Sequence, residues 1–145
     1  MINSVVRRFS KLSIKSIAEI PKMKPQAIKD KAEVESILKD NNLAGWQANA
    51  QNSAIEKSLE FKNFIEAMSF MNTVAVFAER IQHHPDWYNV YNRVRITLNT
   101  HDAPGISMKD FYLAKYINLV ADKVKTANVK QTTQIVDVSD AEFLK

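Results

Sequence analysis

Arg93-Val94-Arg95-Ile96-Thr97-Leu98-Asn99 is the run that decides the architecture. Val94, Ile96 and Leu98 fall on one side and Arg93, Arg95 and Thr97 on the other, the two-residue period of a strand with one buried face. Trp87 to Tyr91, just upstream, supplies the other half of a hairpin pattern after the turn-forming His83-His84-Pro85. Ile55-Glu56-Lys57-Ser58-Leu59-Glu60-Phe61 repeats the alternation, with Lys57 interrupting the apolar side. A shorter strand over Trp46 to Ala50 precedes it, across a turn at Gln51-Asn52-Ser53, so a second hairpin is predicted.

Between the hairpins, Asn63 to about Ile81 switches to the helical period. Phe64, Met68, Met71, Ala75 and Ala78 make one apolar stripe; Phe70, Val74, Phe77 and Ile81 make a second. Together they exceed what a helix packed on one sheet needs, so the second stripe is expected to meet another subunit. Further out, Ser107-Met108-Lys109-Asp110 has capping-box spacing, with Asp in place of the usual Glu or Gln. The helix it opens carries Phe111, Ala114, Ile117 and Val120 on one face, to about Lys125. At the front, Pro25 suits the first turn of a helix through Ile28, Ala32, Val34 and Ile37 to about Asp40, ended by Asn41, Asn42 and Gly45. The order is β-β-α-β-β-α with a preceding N-terminal helix. It predicts an α+β domain of two layers, a four-stranded antiparallel sheet with helices packed on one face.

The chain has 145 residues, the size of one domain, here expected over 24–125 with a basic leader at 1–23 and a C-terminal extension at 126–145. No apolar run approaches the roughly 20 residues of a membrane-spanning helix, so no membrane association is expected. The absence of cysteine removes disulfides, thiol nucleophiles and cysteine zinc sites. Two glycines, Gly45 and Gly105, are too few for a glycine-rich phosphate loop. The net charge of +4 is concentrated at the front: residues 1–33 hold 8 basic and 3 acidic side chains, and the remainder 12 and 13. A nucleic-acid binder carries its basic residues on the folded domain, so nucleic acid is not an expected partner. The first eighteen residues, MINSVVRRFSKLSIKSIA, combine four basic residues, four serines and no acid, with Ile2, Val5, Phe9 and Leu12 along one helical side. That is the composition of an organelle-targeting peptide, which implies a mitochondrial or plastid address. Read instead as a plain basic tail, it implies a cytoplasmic protein.

All three histidines, His83, His84 and His101, flank the second predicted hairpin, so its two ends can bring imidazole to one place. Histidine is the side chain best suited to giving and taking protons near neutral pH. A three-histidine zinc site is the weaker reading, because neighbouring residues on regular strands point apart and no His pair stands at i and i+4 on a helix. Surface clustering by chance is the bland alternative.

The residues themselves go further. Glu79-Arg80-Ile81-Gln82-His83-His84-Pro85-Asp86-Trp87-Tyr88-Asn89-Val90-Tyr91-Asn92, followed by Val94-Arg95-Ile96-Thr97-Leu98-Asn99-Thr100-His101, closely resembles the signature of pterin-4a-carbinolamine dehydratases. That signature has an acid ahead of a His-His-Pro, an aromatic shortly after, and a third histidine closing the next strand. Asp110, nine residues beyond His101, also matches, as do Gly45-Trp46, Phe61-Lys62-Asn63-Phe64 and Phe70-Met71 upstream. The resemblance spans about residues 43–122. One departure is Gln82, where relatives often carry an acid.

The resemblance implies a homodimer or homotetramer assembled through helices, and loss of water from a 4a-hydroxytetrahydropterin such as 4a-hydroxytetrahydrobiopterin. The product is the quinonoid dihydropterin of tetrahydrobiopterin recycling. It further implies histidine general acid/base catalysis with no cofactor and no metal: His83 as the main group, His101 on the other side of the ring, and His84 chiefly holding the pterin. Trp46 is implied as an aromatic wall, Glu79 and Asp110 as groups that orient the histidines, and Pro85 and Thr100 as further substrate contacts. The contrasting expectation is a protein-interaction module of the same fold, a dimerisation cofactor without enzymatic work.

Overall fold

The computed structural model describes residues 24–127, and the expectations for 1–23 and for most of 126–145 lie outside them. Among the described residues, three helices and four strands follow in the order α1 (Lys31–Asp40), β1 (Gln47–Ala48), β2 (Ile55–Glu60), α2 (Phe64–Arg80), β3 (Asp86–Val90), β4 (Arg93–Leu98) and α3 (Met108–Thr126). The sheet order is β1-β2-β4-β3, antiparallel throughout. This is the expected α+β architecture.

The period-two pattern sets which side of the sheet is covered. Val94 pairs with Leu59, Ile96 with Lys57 and Leu98 with Ile55, so one face presents an apolar row to the helices. The apolar members of that row join Phe70, Val74, Phe77, Phe111, Leu113 and Ile117 in a single buried cluster. Each such side chain taken from water contributes about 1.5–3 kcal/mol, which makes this row the main reason the layers stay together. Lys57 lies in the same row, and its ammonium escapes by reaching the carbonyl of Ala44 at 2.7 Å and Asn118 Oδ1 at 2.8 Å. Burial holds its pKa below the ordinary lysine value, with Lys125 adding to the effect and Asp122 opposing it.

Helix ends follow side-chain caps. Asn63 Oδ1 accepts from the Glu66 N–H to start α2, and Ser107 with Asp110 completes the expected capping box of α3. The first helix begins later than Pro25 suggests. Asp30 caps it by accepting from the Ala32 N–H, while Ile28 is drawn into an extended bridge with Ile106. The first strand is also shorter than expected, because Asn49 Oδ1 accepts from the Ser53 N–H and folds the chain into its turn early.

The second stripe of α2, expected to meet another subunit, packs into the core instead. Phe70, Val74 and Phe77 enter the core, where Phe70 meets Phe61 and Phe77 stacks on Tyr116 of α3 at 3.8 Å between centroids. The first stripe divides, with Ala78 buried and Phe64 47% exposed, while Ile65 and Val76, on neither stripe, stand 53% and 75% exposed.

Candidate active site

The site begins at the C-terminus of α2. Gln82 sits in the left-handed region with φ +49°, and its N–H donates to the Glu79 carbonyl while the His83 N–H donates to that of Ala78. These are the two bonds of a Schellman end, formed here around glutamine rather than glycine. The reversal turns His83 inward, to 7% exposure, and leaves His84 on the surface. Pro85 then leads into β3.

The second component comes from β4 and α3. Asp86 pairs with Thr97, so the segments before β3 and after β4 emerge at the same end of the sheet. Thr100 bridges to Gly105, closing a turn that carries His101, and its hydroxyl reaches Asp110 Oδ2 at 2.8 Å. Asp110 is fully buried at the third position of α3. Its Oδ2 also accepts from the Ser107 N–H at 2.7 Å, and its Oδ1 faces His83 Nε2 at 2.7 Å. A carboxylate removed from water is costly unless its oxygens are satisfied, and here both are. The His83–Asp110 pair is therefore a built, enclosed unit.

His83 has two ring nitrogens, and only Nε2 is taken. Nδ1 has no hydrogen-bond partner among the described residues, which leaves it available to a ligand. The dyad can thus exchange a proton at Nδ1 while the carboxylate supports the ring from behind, an arrangement suited to general acid/base work.

His84 forms a separate, exposed pair with Glu79, Nε2 to Oε2 at 2.8 Å. The Gln82 amide donates to the other Glu79 oxygen at 3.0 Å. These two bonds, from His84 first and Gln82 second, hold the Glu79 carboxyl below its ordinary pKa. Glu79 thus orients His84, and Asp110 orients His83. His101 stands exposed on the turn one residue past Thr100. Trp46 is buried, its indole N–H donating to Asn118 Oδ1 at 2.9 Å. Among the described residues, no three His, Cys, Asp or Glu side chains gather as a metal cage requires.

Sequence reasoning picked out His83, His84, His101, Glu79 and Asp110, and the structure pairs four of them through bonds. It missed Ser107 and Gln82 as site-building groups. Ser107 was legible only as a helix cap, and nothing in the chain marks Gln82 as an αL residue.

A model of the family described as pterin 4 alpha carbinolamine dehydratase matches residues 27–120, nearly the whole described domain. The chain belongs to this family. With membership comes the enzyme class: a pterin-4a-carbinolamine dehydratase, a lyase that removes water. A protein of Rhizobium leguminosarum bv. trifolii named as a candidate pterin-4-alpha-carbinolamine dehydratase is 52% identical over 79 residues, which cover 54% of this chain and 78% of that one. A Burkholderia multivorans protein named the same way is 46% identical over 86 residues, covering 59% and 84%. A crystal structure from Brucella melitensis, described as a transcriptional coactivator/pterin dehydratase, superposes with a TM-score of 0.62 at 38% identity, covering 66% of this chain and 99% of that one. The dehydratase fold is therefore shared along with the sequence.

Proposed function

We propose that the protein dehydrates a 4a-hydroxytetrahydropterin by acid/base catalysis centred on His83. Forming the quinonoid dihydropterin breaks the C4a–O bond and removes a proton from N5, while the departing hydroxyl takes up a proton and leaves as water. One proton is taken and one is given, so the reaction is redox-neutral and needs a group on each side of the ring. The observation that supports this reading most is the buried His83–Asp110 pair with Nδ1 free to a ligand. His101 supplies the second group, on the turn fixed by the Thr100–Gly105 bridge. His84, held by Glu79, binds the pterin beside Pro85, and Trp46 contributes a wall from its anchored position on Asn118. The product feeds tetrahydrobiopterin recycling. Turnover of 4a-hydroxytetrahydropterin tests the reading: the purified chain accelerates loss of water and His101→Ala slows it, whereas a folded chain without acceleration refutes it.

Assembly belongs to the same reading. The open side of α2, with Phe64, Ile65 and Val76, supports a homodimer or homotetramer formed through helices. The second reading, a protein-interaction module of the same fold, draws support from the Brucella protein's description as a transcriptional coactivator/pterin dehydratase.

A further inference from the structure

We propose that Thr100 and Ser107 are positioning residues that decide which nitrogen of His83 carries the proton. The inference rests on the dehydratase reading of the site and adds two hydroxyls to it. Thr100 has one hydroxyl hydrogen, and it is committed to Asp110 Oδ2. In the 2.6 Å contact between Thr100 Oγ1 and Ser107 Oγ, the donor is therefore Ser107 and the acceptor is Thr100. Ser107 Oγ in turn accepts the Lys109 N–H at 3.2 Å. Every hydrogen in the chain runs one way: from the first turn of α3, through Ser107, through Thr100, to the buried carboxylate.

The consequence lies at the far oxygen. Oδ2 receives both the Thr100 hydroxyl and the Ser107 N–H, which fixes the plane of the carboxylate and keeps it an acceptor. Oδ1 then has one role left, to accept from His83 Nε2. Hydrogen-bond logic assigns the neutral ring as the Nε2–H tautomer, with its lone pair on Nδ1, the nitrogen open to a ligand. Without the Thr100 hydroxyl, Oδ2 is held by the Ser107 N–H alone, so the carboxylate can turn out of line with His83 Nε2 and discriminates less between the two tautomers. Thr100 thereby acts from behind the carboxylate rather than as the substrate contact expected from the sequence.

The test is long-range 1H–15N NMR on the full chain labelled at histidine, read beside kcat and KM. Thr100→Val keeps the shape and removes the hydroxyl; Thr100→Ser restores it. Ser107→Gly removes the other hydroxyl while keeping a residue that helix caps accept. We expect Nε2–H in the wild type and in Thr100→Ser. The Nδ1–H fraction should rise, and kcat fall, by about tenfold in Thr100→Val, which loses a bond to a charged group, and by less in Ser107→Gly, which loses a bond between hydroxyls, with KM little changed. Thr100→Val or Ser107→Gly that folds with the wild-type tautomer ratio and kcat overturns the proposal. The tautomer signal needs no turnover. A shift seen in a chain that never dehydrates pterin supports the positioning role and sinks the dehydratase reading instead.

Discussion

Asp110→Asn is the substitution that most sharply separates chemistry from packing. The amide is nearly isosteric and remains acceptable in the first turn of α3. Its carbonyl oxygen satisfies the two donors at the Oδ2 position, the Ser107 N–H and the Thr100 hydroxyl. That forces the NH2 group toward His83 Nε2, where an acceptor stood at 2.7 Å. His83 must then accept at Nε2 and carry its hydrogen on Nδ1, so the nitrogen facing the ligand loses its lone pair. Loss of a positioned acid/base group costs about 10²–10⁴ in rate, and kcat should fall within that range. Stability should fall less, by about 1–3 kcal/mol, because charge-assisted bonds become neutral ones while none is left unmade. Stopped-flow dehydration kinetics and thermal melts of both proteins give the two numbers. A folded Asp110→Asn protein with kcat within threefold of wild type refutes the reasoning.

Other expectations follow from the same structure. Phe70→Ala, emptying a fully buried ring site beside Phe61, should lower stability by about 3–5 kcal/mol in denaturant melts, whereas an unchanged midpoint would mean that the α2 stripe assignment is wrong. Val76→Glu, on the open side of α2, should leave the monomer fold intact and shift sedimentation toward smaller species; an unchanged assembly places the interface elsewhere. The bonds from His84 and Gln82 lower the Glu79 pKa from its ordinary 4.5, so their stabilisation is fully present above that pH and is lost as pH falls through the depressed value. The melting-temperature gap between wild type and Glu79→Gln should therefore close in acid, and a gap that widens in acid contradicts the sign. Residues 1–23 fused to a fluorescent protein should direct it to a mitochondrion or plastid; diffuse cytoplasmic signal removes the targeting reading.

The sheet was legible because period-two alternation is a local property, and Arg93–Asn99 and Ile55–Phe61 each carry it without help from the rest of the chain. The ends of elements were less so, since Asp30 and Asn49 win over the Pro25 and Gln51 signals through side-chain bonds formed only in the folded chain. The burial of the second stripe on α2 has the same origin. Both stripes are apolar, and only the partners at Phe61 and Tyr116, distant in sequence, select Phe70 and Phe77 for the core. In the site, residue types and spacing exposed the histidines and the resemblance singled out Asp110. Neither says that the carboxylate of a capping box has an oxygen left for a ring 27 positions away, or that a buried hydroxyl pair stands behind it.

The most direct measurement is kcat for 4a-hydroxytetrahydropterin dehydration by wild type and His83→Ala at matched folding. The account predicts a fall of about 10²–10⁴ with an unchanged circular dichroism spectrum. His83→Ala turning over at the wild-type rate would contradict it.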